Sequence, residues 1–562
     1  MNPKWEIQTI NEELTEQISK QHNISQLLAS ILVSRGIVEK HDIDRFLNPT
    51  REDFHDPFGM PDMYQAVERC IKAINSNEKV CIYGDYDADG ITSTTVLKKY
   101  FNDRGLDVGY YIPNRLEEGY GLNMDAVKKI ADDGYTLIIT VDCGISSKDE
   151  IAYAYELGLE VIVTDHHEPP EELPKCVAVV DCKRKDCTYE CKHLAGVGVS
   201  FKLIQAISFE LGLDDKEYLK YLDIVCIGTI SDIVPLVDEN RVIAKLGLKL
   251  VAQTRNPGLA ALLKSCGYKE INSTAVSFGI APRINACGRM GHEKEAIRLF
   301  LTDNIEEARE ITSKLNTYNQ ERQDVEKSIY EEVLSIIEQK NLSTKNAIIV
   351  GSDNWHHGVI GIVSSKITDK FFKPSILVSF DGDVASGSGR SIPGFDLHEA
   401  LNKCSEFLER YGGHSMACGL SLKTADFDKF EKCMEQLADD AHLEEIVPII
   451  YIEKEVTSKD FKLEIIEELK QLEPFGEANS VPYFMYRNLR VDSIRSLSEG
   501  KHLRLTLKDN NVIINAIGFG MGDRAQDFII GDKIDCVGML EVNEFNGFKN
   551  LQLNLKDIRK SY

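Results

Sequence analysis

The chain has 562 residues, of which 43% are hydrophobic and 28% charged, and its formal net charge is −25. That length suits about three to four domains, and the composition is that of a globular protein rather than a disordered or fibrous one. No apolar run approaches the ~18 residues of a membrane span, and the opening MNPKWEIQTINEELTEQISK lacks a basic stretch followed by an apolar one. The expectation is a cytoplasmic protein without membrane association. The acidity argues against a surface that binds nucleic acid everywhere, but net charge governs solubility and steering rather than the chemistry of one cleft. The 14 cysteines are scattered, several inside apolar runs (Cys81, Cys226, Cys418, Cys536), and read as buried thiols rather than disulfides.

Residues 1–60 read as a small helical leader, with apolar residues at helical spacing in LTEQISKQHN and SQLLASILVSRG. From residue 79 short apolar runs alternate with amphipathic segments. KVCIYG, DVGYYIP, TLIITV, EVIVT and VAVVD read as strands, and ITSTTVLKKYFNDRG, NMDAVKKIADDG and SSKDEIAYAYELG as helices between them. This alternation predicts an α/β domain over residues 61–304, with a mostly parallel sheet covered on both faces. Ligands collect at the carboxyl ends of such strands. Residues 305–343 are highly charged with helical periodicity and predict a long connecting helix. A second α/β domain follows over 344–448, with strands in NAIIVG, PSILVSF and VASGSGR and a helix over DLHEALNKCSEFLERYGG. Residues 449–562 alternate like strands, with Asn546-Gly547 as a hairpin signal. About five strands in roughly 80 residues predict a small barrel of the oligonucleotide-binding type.

The chemistry concentrates at strand ends. KVCIYGDYDADGITST places Asp85, Asp87 and Asp89 directly after a strand, with Gly84 and Gly90 permitting a tight turn. A solvated acidic loop is the ordinary alternative for one such segment. Three carboxylates this close otherwise repel one another, and a divalent cation between them is the simplest remedy. TLIITVDCGIS places Asp142 at the end of the next strand, EVIVTDHHEPP places Asp165, His166 and His167 at the end of another, and IVCIGTISDIVPL offers Asp232 after a further apolar run, read as a fourth strand end. Carboxylates with imidazole, and no cysteine, suit Mn²⁺ or Mg²⁺. Two such cations about 4 Å apart clamp the attacking and leaving oxygens of an in-line displacement, so the chemistry inferred is phosphoester or phosphoanhydride hydrolysis.

DYDADG, VDCGIS, TDHHEP and GTISDIVPL resemble the four motifs of the DHH phosphoesterase superfamily. IPNRLEEGYGL, FGIAPRINACGRMG, SGSGRSIPGFDLHEAL, RYGGHSMACGL and LEPFGEANSVPYF resemble, in order, its RecJ family, from about residue 60 onward. The resemblance implies a single-stranded-DNA-specific exonuclease acting 5′→3′ in DNA repair and recombination. It implies that Asp87, Asp142, His166 and Asp232 hold the main cation, that Asp85 with Asp142 contacts a second, and that His167 approaches the scissile phosphate. Cys81 stands where pyrophosphatases of the superfamily carry a histidine, which implies a weaker second site and no pyrophosphatase role.

SGSGRS combines backbone N–H groups in a Gly-rich turn with Ser388 and Arg390, which suits a terminal phosphate, and RYGGHSMACG presents His414 after two glycines. By resemblance this is the DHHA1 domain, whose matching residues bind substrate phosphates, and Arg115, Arg283 and Arg289 match further phosphate contacts near the metal. A terminal-phosphate pocket accounts for exonuclease rather than endonuclease action, and a channel between two α/β domains is too narrow for a duplex. The barrel offers Tyr483, Phe484, Arg487, Arg490, Lys501 and Arg504 for stacking and backbone contact, with about half of them expected to be core or solvated charge instead. Single-stranded DNA with a 5′ end is the implied substrate, with a single-strand-binding protein and a helicase as implied partners. Cys176, Cys182, Cys187, Cys191 and His193 lack the paired spacing of a zinc knuckle and read as loop thiols. Two alternatives stand beside the exonuclease: a DHH phosphodiesterase acting on short RNA or cyclic dinucleotides, and a non-catalytic replication or repair scaffold. Every implied ligand position carries a competent side chain, which speaks against the scaffold.

Overall fold

The computed structural model describes residues 3–115, 117–510, 512–545 and 548–561. The chain forms two compact units, one of Met1–Phe54, Pro235–Lys245 and Pro448–Tyr562, the other of His55–Val234 and Leu246–Val447.

In the second unit the apolar runs predicted as strands form a five-stranded, all-parallel sheet. Its order is Gly109–Tyr111, Val80–Gly84, Leu137–Val141, Glu160–Asp165, Ala178–Asp181. Val80–Gly84 and Leu137–Val141 are buried along their whole length, as continuous apolar strands are when helices cover both faces. Helices Met124–Asp132 and Lys148–Glu156 close one face around Cys81, Tyr83, Ile138 and Val161. Helices Ala88–Asp103 and Gly196–Glu210 pack on the other. Strand order reverses between Val80–Gly84 and Leu137–Val141, the first and third strands of this sheet in chain order, and this switch point is where such sheets leave a crevice at their carboxyl ends.

Helix Ile305–Gln339 is continuous over 35 residues. The second sheet of this unit is mixed. Ile348–Asp353 and Ser375–Asp381 are parallel, while Val384–Arg390, Ala417–Lys423 and Arg410–His414 continue antiparallel. Two expectations change here. The predicted helix over DLHEALNKCSEFLERYGG is only Leu397–Lys403, and RYGG begins the edge strand Arg410–His414. The cysteines are not all thiols, because Cys404 is bonded to Cys433: the end of the short helix meets helix Phe427–Asp440, and their Cα atoms lie 6.3 Å apart. The other 12 cysteines are unbonded.

In the first unit, strands Phe484–Leu497, His502–Asp509, Val512–Gly518, Phe548–Lys560 and Lys533–Phe545 pair in that order, and the last returns to pair with the first, closing a five-stranded barrel. The expected Asn546-Gly547 turn lies outside the described residues. The leader does not stand alone: Ile18, Leu28, Ile31 and Leu32 join Leu503, Leu505, Ile534 and Leu553 in one core. Arg241 knots the unit together. Its buried guanidinium donates to the carbonyls of Phe46, Gln471, Leu472, Glu473 and Pro474 and lies 3.6 Å from the Phe46 ring centroid. Asn479 donates to two of the same carbonyls, Leu472 and Pro474. In the LEPFGEANS loop the carbonyls of Leu472, Glu473 and Pro474 are thus satisfied by one arginine and one asparagine. Arg241→Ala strands several buried acceptors at once and should lower unfolding free energy by on the order of 3 kcal/mol, read by denaturant titration. A change below about 1 kcal/mol would show that the knot is dispensable.

Candidate active site

Asp85 and Asp142 follow the two strands that flank the switch point, whose ends Gly84 and Val141 are paired in register. Asp165, His166 and His167 close the next strand. Asp232 differs from expectation: it caps the C-terminal end of helix Leu222–Ser231, not a strand. Leu222–Ile230 are buried on every side, and a helix apolar all round carries no periodicity to separate it from a buried strand.

Close backbone approach brings these groups together. A β-carbon at Gly90 would lie 2.4 Å from the Asp85 carbonyl oxygen, and one at Gly84 would lie 2.1 Å from Thr94 Oγ1. Neither glycine has a positive φ, so both serve proximity rather than the turn expected. Left-handed backbone occurs instead at two non-glycines, Asp142 (φ 59°) and Ile233 (φ 60°), the second just after Asp232. Each costs about 1–2 kcal/mol of backbone strain. Asp87 accepts from the N–H groups of Asp89 and Gly90 and caps the helix Ala88–Asp103. Asp89 reaches the start of the next helix, accepting from Gly196 N–H and Val197 N–H at 2.7 Å each, where a helix N-terminus favours a carboxylate. Asn285 accepts from Ala88 N–H at 2.8 Å, and a β-carbon at Gly288 would lie 2.6 Å from the Tyr86 carbonyl oxygen. The INACG segment therefore clamps the acidic loop.

His166 Nε2 lies 3.1 Å from Asp142 Oδ1, 3.6 Å from Asp232 Oδ2 and 3.9 Å from Asp89 Oδ2. Asp89, His166 and Asp232 form one group whose ligand atoms lie within 4.8 Å of one another. Asp85, Asp87 and Asp142 form a second, and Asp142, His166 and His167 a third that joins them. The partition implied by resemblance changes accordingly: Asp89 takes the place given to Asp87 beside His166 and Asp232, and Asp87 stands with Asp85 and Asp142. Asp165 orients the histidines. Its Oδ1 accepts from His166 N–H at 2.7 Å and faces His167 Nδ1 at 2.7 Å, while its Oδ2 accepts from Ile145 N–H at 3.0 Å. The Tyr120 hydroxyl lies 3.1 Å from His167 Nδ1. Asp89 and Asp165 were named in the sequence as strand-end carboxylates but received no role from the resemblance, and Tyr120 carried no signal there; the structure places all three beside the histidines.

Burial, then the neighbouring carboxylates, pushes Asp85 and Asp142 well above the usual carboxylate range, Asp89 up to about 7 and Asp232 up to about 9. Burial and then His167 push His166 down to about 3. Burial also opposes charge on Asp165 and His167, but their mutual hydrogen bond and attraction outweigh it, lowering Asp165 and raising His167. Among the described residues the buried Asp85 Oδ1, Asp142 Oδ1 and His166 Nε2 have no hydrogen-bond partner. Crowded anionic oxygens and a neutral imidazole are the donor set of a hard divalent cation, so these residues fit Mn²⁺ or Mg²⁺. The cysteines of 176–191 join none of these groups among the described residues.

Family models match three segments: the DHH family N-terminal domain over residues 79–229, the DHHA1 domain over 344–440 and the RecJ OB domain over 452–557. The chain is 40% identical to the single-stranded-DNA-specific exonuclease RecJ of Bacillus subtilis, covering 99% of this chain and 70% of that protein. It is 34% identical to the Haemophilus influenzae RecJ, covering 94% and 95%. The chain belongs to the RecJ family. A crystal structure of Thermus thermophilus RecJ with Mn²⁺ superposes with a TM-score of 0.87 at 29% identity, covering 100% of this chain and 80% of that one, and the same protein has been crystallised with Mg²⁺.

In this RecJ-family chain the phosphate residues expected on the second sheet lie on strands, not in turns. Ser386–Arg390 belong to strand Val384–Arg390, the alternation of which puts Ser388 and Arg390 on one face. In register, Arg390 pairs with Ala417 and Ala417 with His414, while Ser388 pairs with Gly419 and Gly419 with Gly412. Small residues between Arg390 and His414 leave an open pad, and β-carbons at Gly412 and Gly419 would meet nothing within 4 Å. Arg115 lies over the Tyr86 ring. Arg289 is pushed down to about 10 by burial and then by Arg115, Arg322 and Arg390, with Asp87 opposing. Arg115, Arg289 and Arg390 therefore share one electrostatic neighbourhood with the acidic loop. Arg283 is not brought to it. It donates to Asn316 Oδ1 and the Gly279 carbonyl, each at 2.7 Å, and tethers its helix to Ile305–Gln339. Beside Asp232 opens a cavity of about 760 Å³ lined by Ile233, Phe278, Arg289, Lys327, Tyr330 and Lys366.

On the barrel, Phe484 is fully buried and cannot stack on a base, Tyr483 packs toward Ile450 and Met485, and Arg487 is paired with Glu455. Arg490, Lys501 and Arg504 are exposed. Arg490 pairs with Lys508 and Arg495 with Arg504 in register, so two basic rows cross the outer face of adjacent strands.

The metal centre yields a test with a definite sign. Asp89 and Asp232, raised from 3.8 to about 7 and about 9, keep protons in the folded chain that the unfolded chain has released. Without metal, their contribution to stability therefore falls as pH rises from about 4 to about 9, by up to ~1.4 kcal/mol per pH unit for each proton retained. Asp232→Asn should escape its share: relative to the native chain its metal-free stability should rise across that range, and saturating Mn²⁺ should reverse the ranking. Denaturant titrations in EDTA and in Mn²⁺ read both, and a difference independent of pH would refute the crowding.

Proposed function

We propose that this chain removes nucleotides from the 5′ end of single-stranded DNA by divalent-metal-dependent hydrolysis of the phosphodiester. The observation that carries the proposal is the pairing of a buried carboxylate–histidine cluster at the sheet switch point with the open basic pad of Ser388, Arg390 and His414 in the same unit. Membership of a family of single-stranded-DNA-specific exonucleases supports it.

The residues divide the work. Asp85, Asp87, Asp89, Asp142, His166 and Asp232 would hold the cations, which when bound supply Lewis acidity and a water of lowered pKa. Asp165 fixes the ring orientation of His167, which groups with Asp142 and His166 and suits contact with the scissile phosphate. Arg115, Arg289 and Arg390 hold the terminal phosphate. A strand end seated on the pad sets the distance to the scissile bond and excludes a chain that continues past it, which gives exonuclease action. The 760 Å³ cavity joins aromatic Phe278 and Tyr330 to Lys327 and Lys366, the mixture of stacking surface and cation that suits unpaired nucleotides. The exposed basic rows of the barrel suit further backbone contact. This reading makes the protein a cytoplasmic enzyme of DNA repair and recombination. A helicase that opens duplex ends and a single-strand-binding protein are the partners that would supply its substrate.

The test uses Mn²⁺ and end-labelled single-stranded DNA, duplex DNA, short RNA and cyclic dinucleotide. Mononucleotide release from the 5′ end of single-stranded DNA is expected, with Asp142→Ala lowering kcat by at least ~10³-fold while the circular dichroism stays native. Hydrolysis confined to RNA or cyclic dinucleotide, or release from the 3′ end, would overturn it.

A further inference from the structure

Helix His357–Phe371 begins beside the phosphate pad, and its first turns are shaped by that neighbour. A β-carbon at Gly361 would lie 2.9 Å from Ser388 Oγ and 3.3 Å from Arg390 Nη2, so at this glycine the helix backs directly onto the pad. Arg289 reaches the same turn from the other side, donating through Nη1 to the Gly358 carbonyl at 2.6 Å. The N-cap of this helix is His356, whose Nδ1 accepts from Gly358 N–H at 3.1 Å.

That hydrogen bond decides the tautomer. A ring nitrogen that accepts carries no proton, so a neutral imidazole must carry it on Nε2. Burial, then His357, Arg115 and Arg289 disfavour a charged ring and keep it neutral. Among the described residues Nε2–H has no hydrogen-bond partner, and the Arg115 and Arg289 side chains, whose charges act on the ring, are cations that offer it no acceptor. A half-buried donor is open to water, and beside arginines an anion that bridges them is a stronger partner. Ser, Thr, Asp or Asn is the usual N-cap, and none of them places a donor as far beyond the cap as an imidazole Nε2–H.

We propose that His356 is a further phosphate-binding residue, donating Nε2–H to a non-bridging oxygen of the terminal phosphate that Arg115, Arg289 and Arg390 gather. The inference rests on the phosphate-pad reading above. Nothing covalent changes at His356; it adds one neutral donor to a set of cations and makes the pad sensitive to the tetrahedral oxygens of a phosphate.

Two substitutions separate the cap from the donor. His356→Asn keeps an acceptor for Gly358 N–H but has nothing in the place of Nε2. His356→Gln places an amide N–H near Nε2 and gives up the cap. Steady-state kinetics on matched 5′-phosphorylated and 5′-hydroxyl single-stranded oligonucleotides, with melting temperatures, read the difference. His356→Asn should raise KM about 10-fold on the phosphorylated strand and less than ~3-fold on the hydroxyl strand with its melting temperature retained. His356→Gln should keep most of the phosphate preference at a lower melting temperature. Arg390→Ala is the control for the pad and should abolish the preference. If Arg390→Ala loses the preference while His356→Asn behaves as the native chain, His356 is only a cap and the inference fails. If Arg390→Ala leaves the preference intact, the pad reading fails with it.

Discussion

Six anionic or imidazole groups packed within a few ångströms, nearly all out of water, cannot share that space while charged, and the rest of the site follows from this constraint. Burial and mutual repulsion together raise Asp85, Asp89, Asp142 and Asp232 so far that without a counter-charge they hold protons. A cation restores the carboxylate form. A cation held there would also give a partner to the buried oxygens of Asp85 and Asp142 and to His166 Nε2, which have none among the described residues. The fold therefore builds a centre that is unfavourable alone and satisfied by metal, as expected of a functional rather than a stabilising cluster.

The backbone enforces the crowding. Gly84, Gly90, Gly196 and Gly288 stand where a β-carbon would collide with Thr94, Asp85, Asp142 and Tyr86 respectively. The strained residues Asp142 and Ile233 sit at the two points where the chain must turn sharply beside a ligand. Asp89 performs two tasks at once, holding the start of helix Gly196–Glu210 and facing His166. Such sharing ties the position of the metal centre to the packing of the helices behind the sheet.

Much of this was legible in the sequence because a parallel sheet converts chain order into place. Apolar runs ending in Asp85, Asp142 and Asp165 were bound to deliver those groups to one edge. What was not legible turned on orientation rather than location. Asp87 and Asp89 are two residues apart, and which one faces His166 depends on where the helix starts and which carboxylate folds back to cap it. The run before Asp232 is apolar on all sides, so a helix passed for a strand. Arg283 and Arg289 lie six apart on one helix, and only packing shows that the first is spent on Asn316 and Gly279 while the second faces the site. Ser388 and Arg390 looked like a turn because of their glycines, which in fact admit neighbouring side chains and a helix against a strand. Phe484 shows the same limit on the barrel: alternation marks one face as apolar but not which aromatic lines the core.

The charge balance closes the argument. A chain with a net charge of −25 should repel DNA at long range. Arg115, Arg289 and Arg390 are instead gathered so tightly that Arg289 is pushed down to about 10, chiefly by burial and then by like charges. The arginines are thus the inverse of the carboxylate cluster, a group of cations in want of an anion beside a group of anions in want of a cation. Arg289 feels both, being drawn to Asp87 and repelled by Arg115 and Arg390. Filling the acidic cluster with cations weakens the attraction that Asp87 exerts on Arg289 and leaves the arginines more in need of a phosphate. A phosphate on the arginines in turn favours cations among the carboxylates. Electrostatics alone would therefore couple a bound cation to a bound anion, each cluster favouring the ligand that the other lacks.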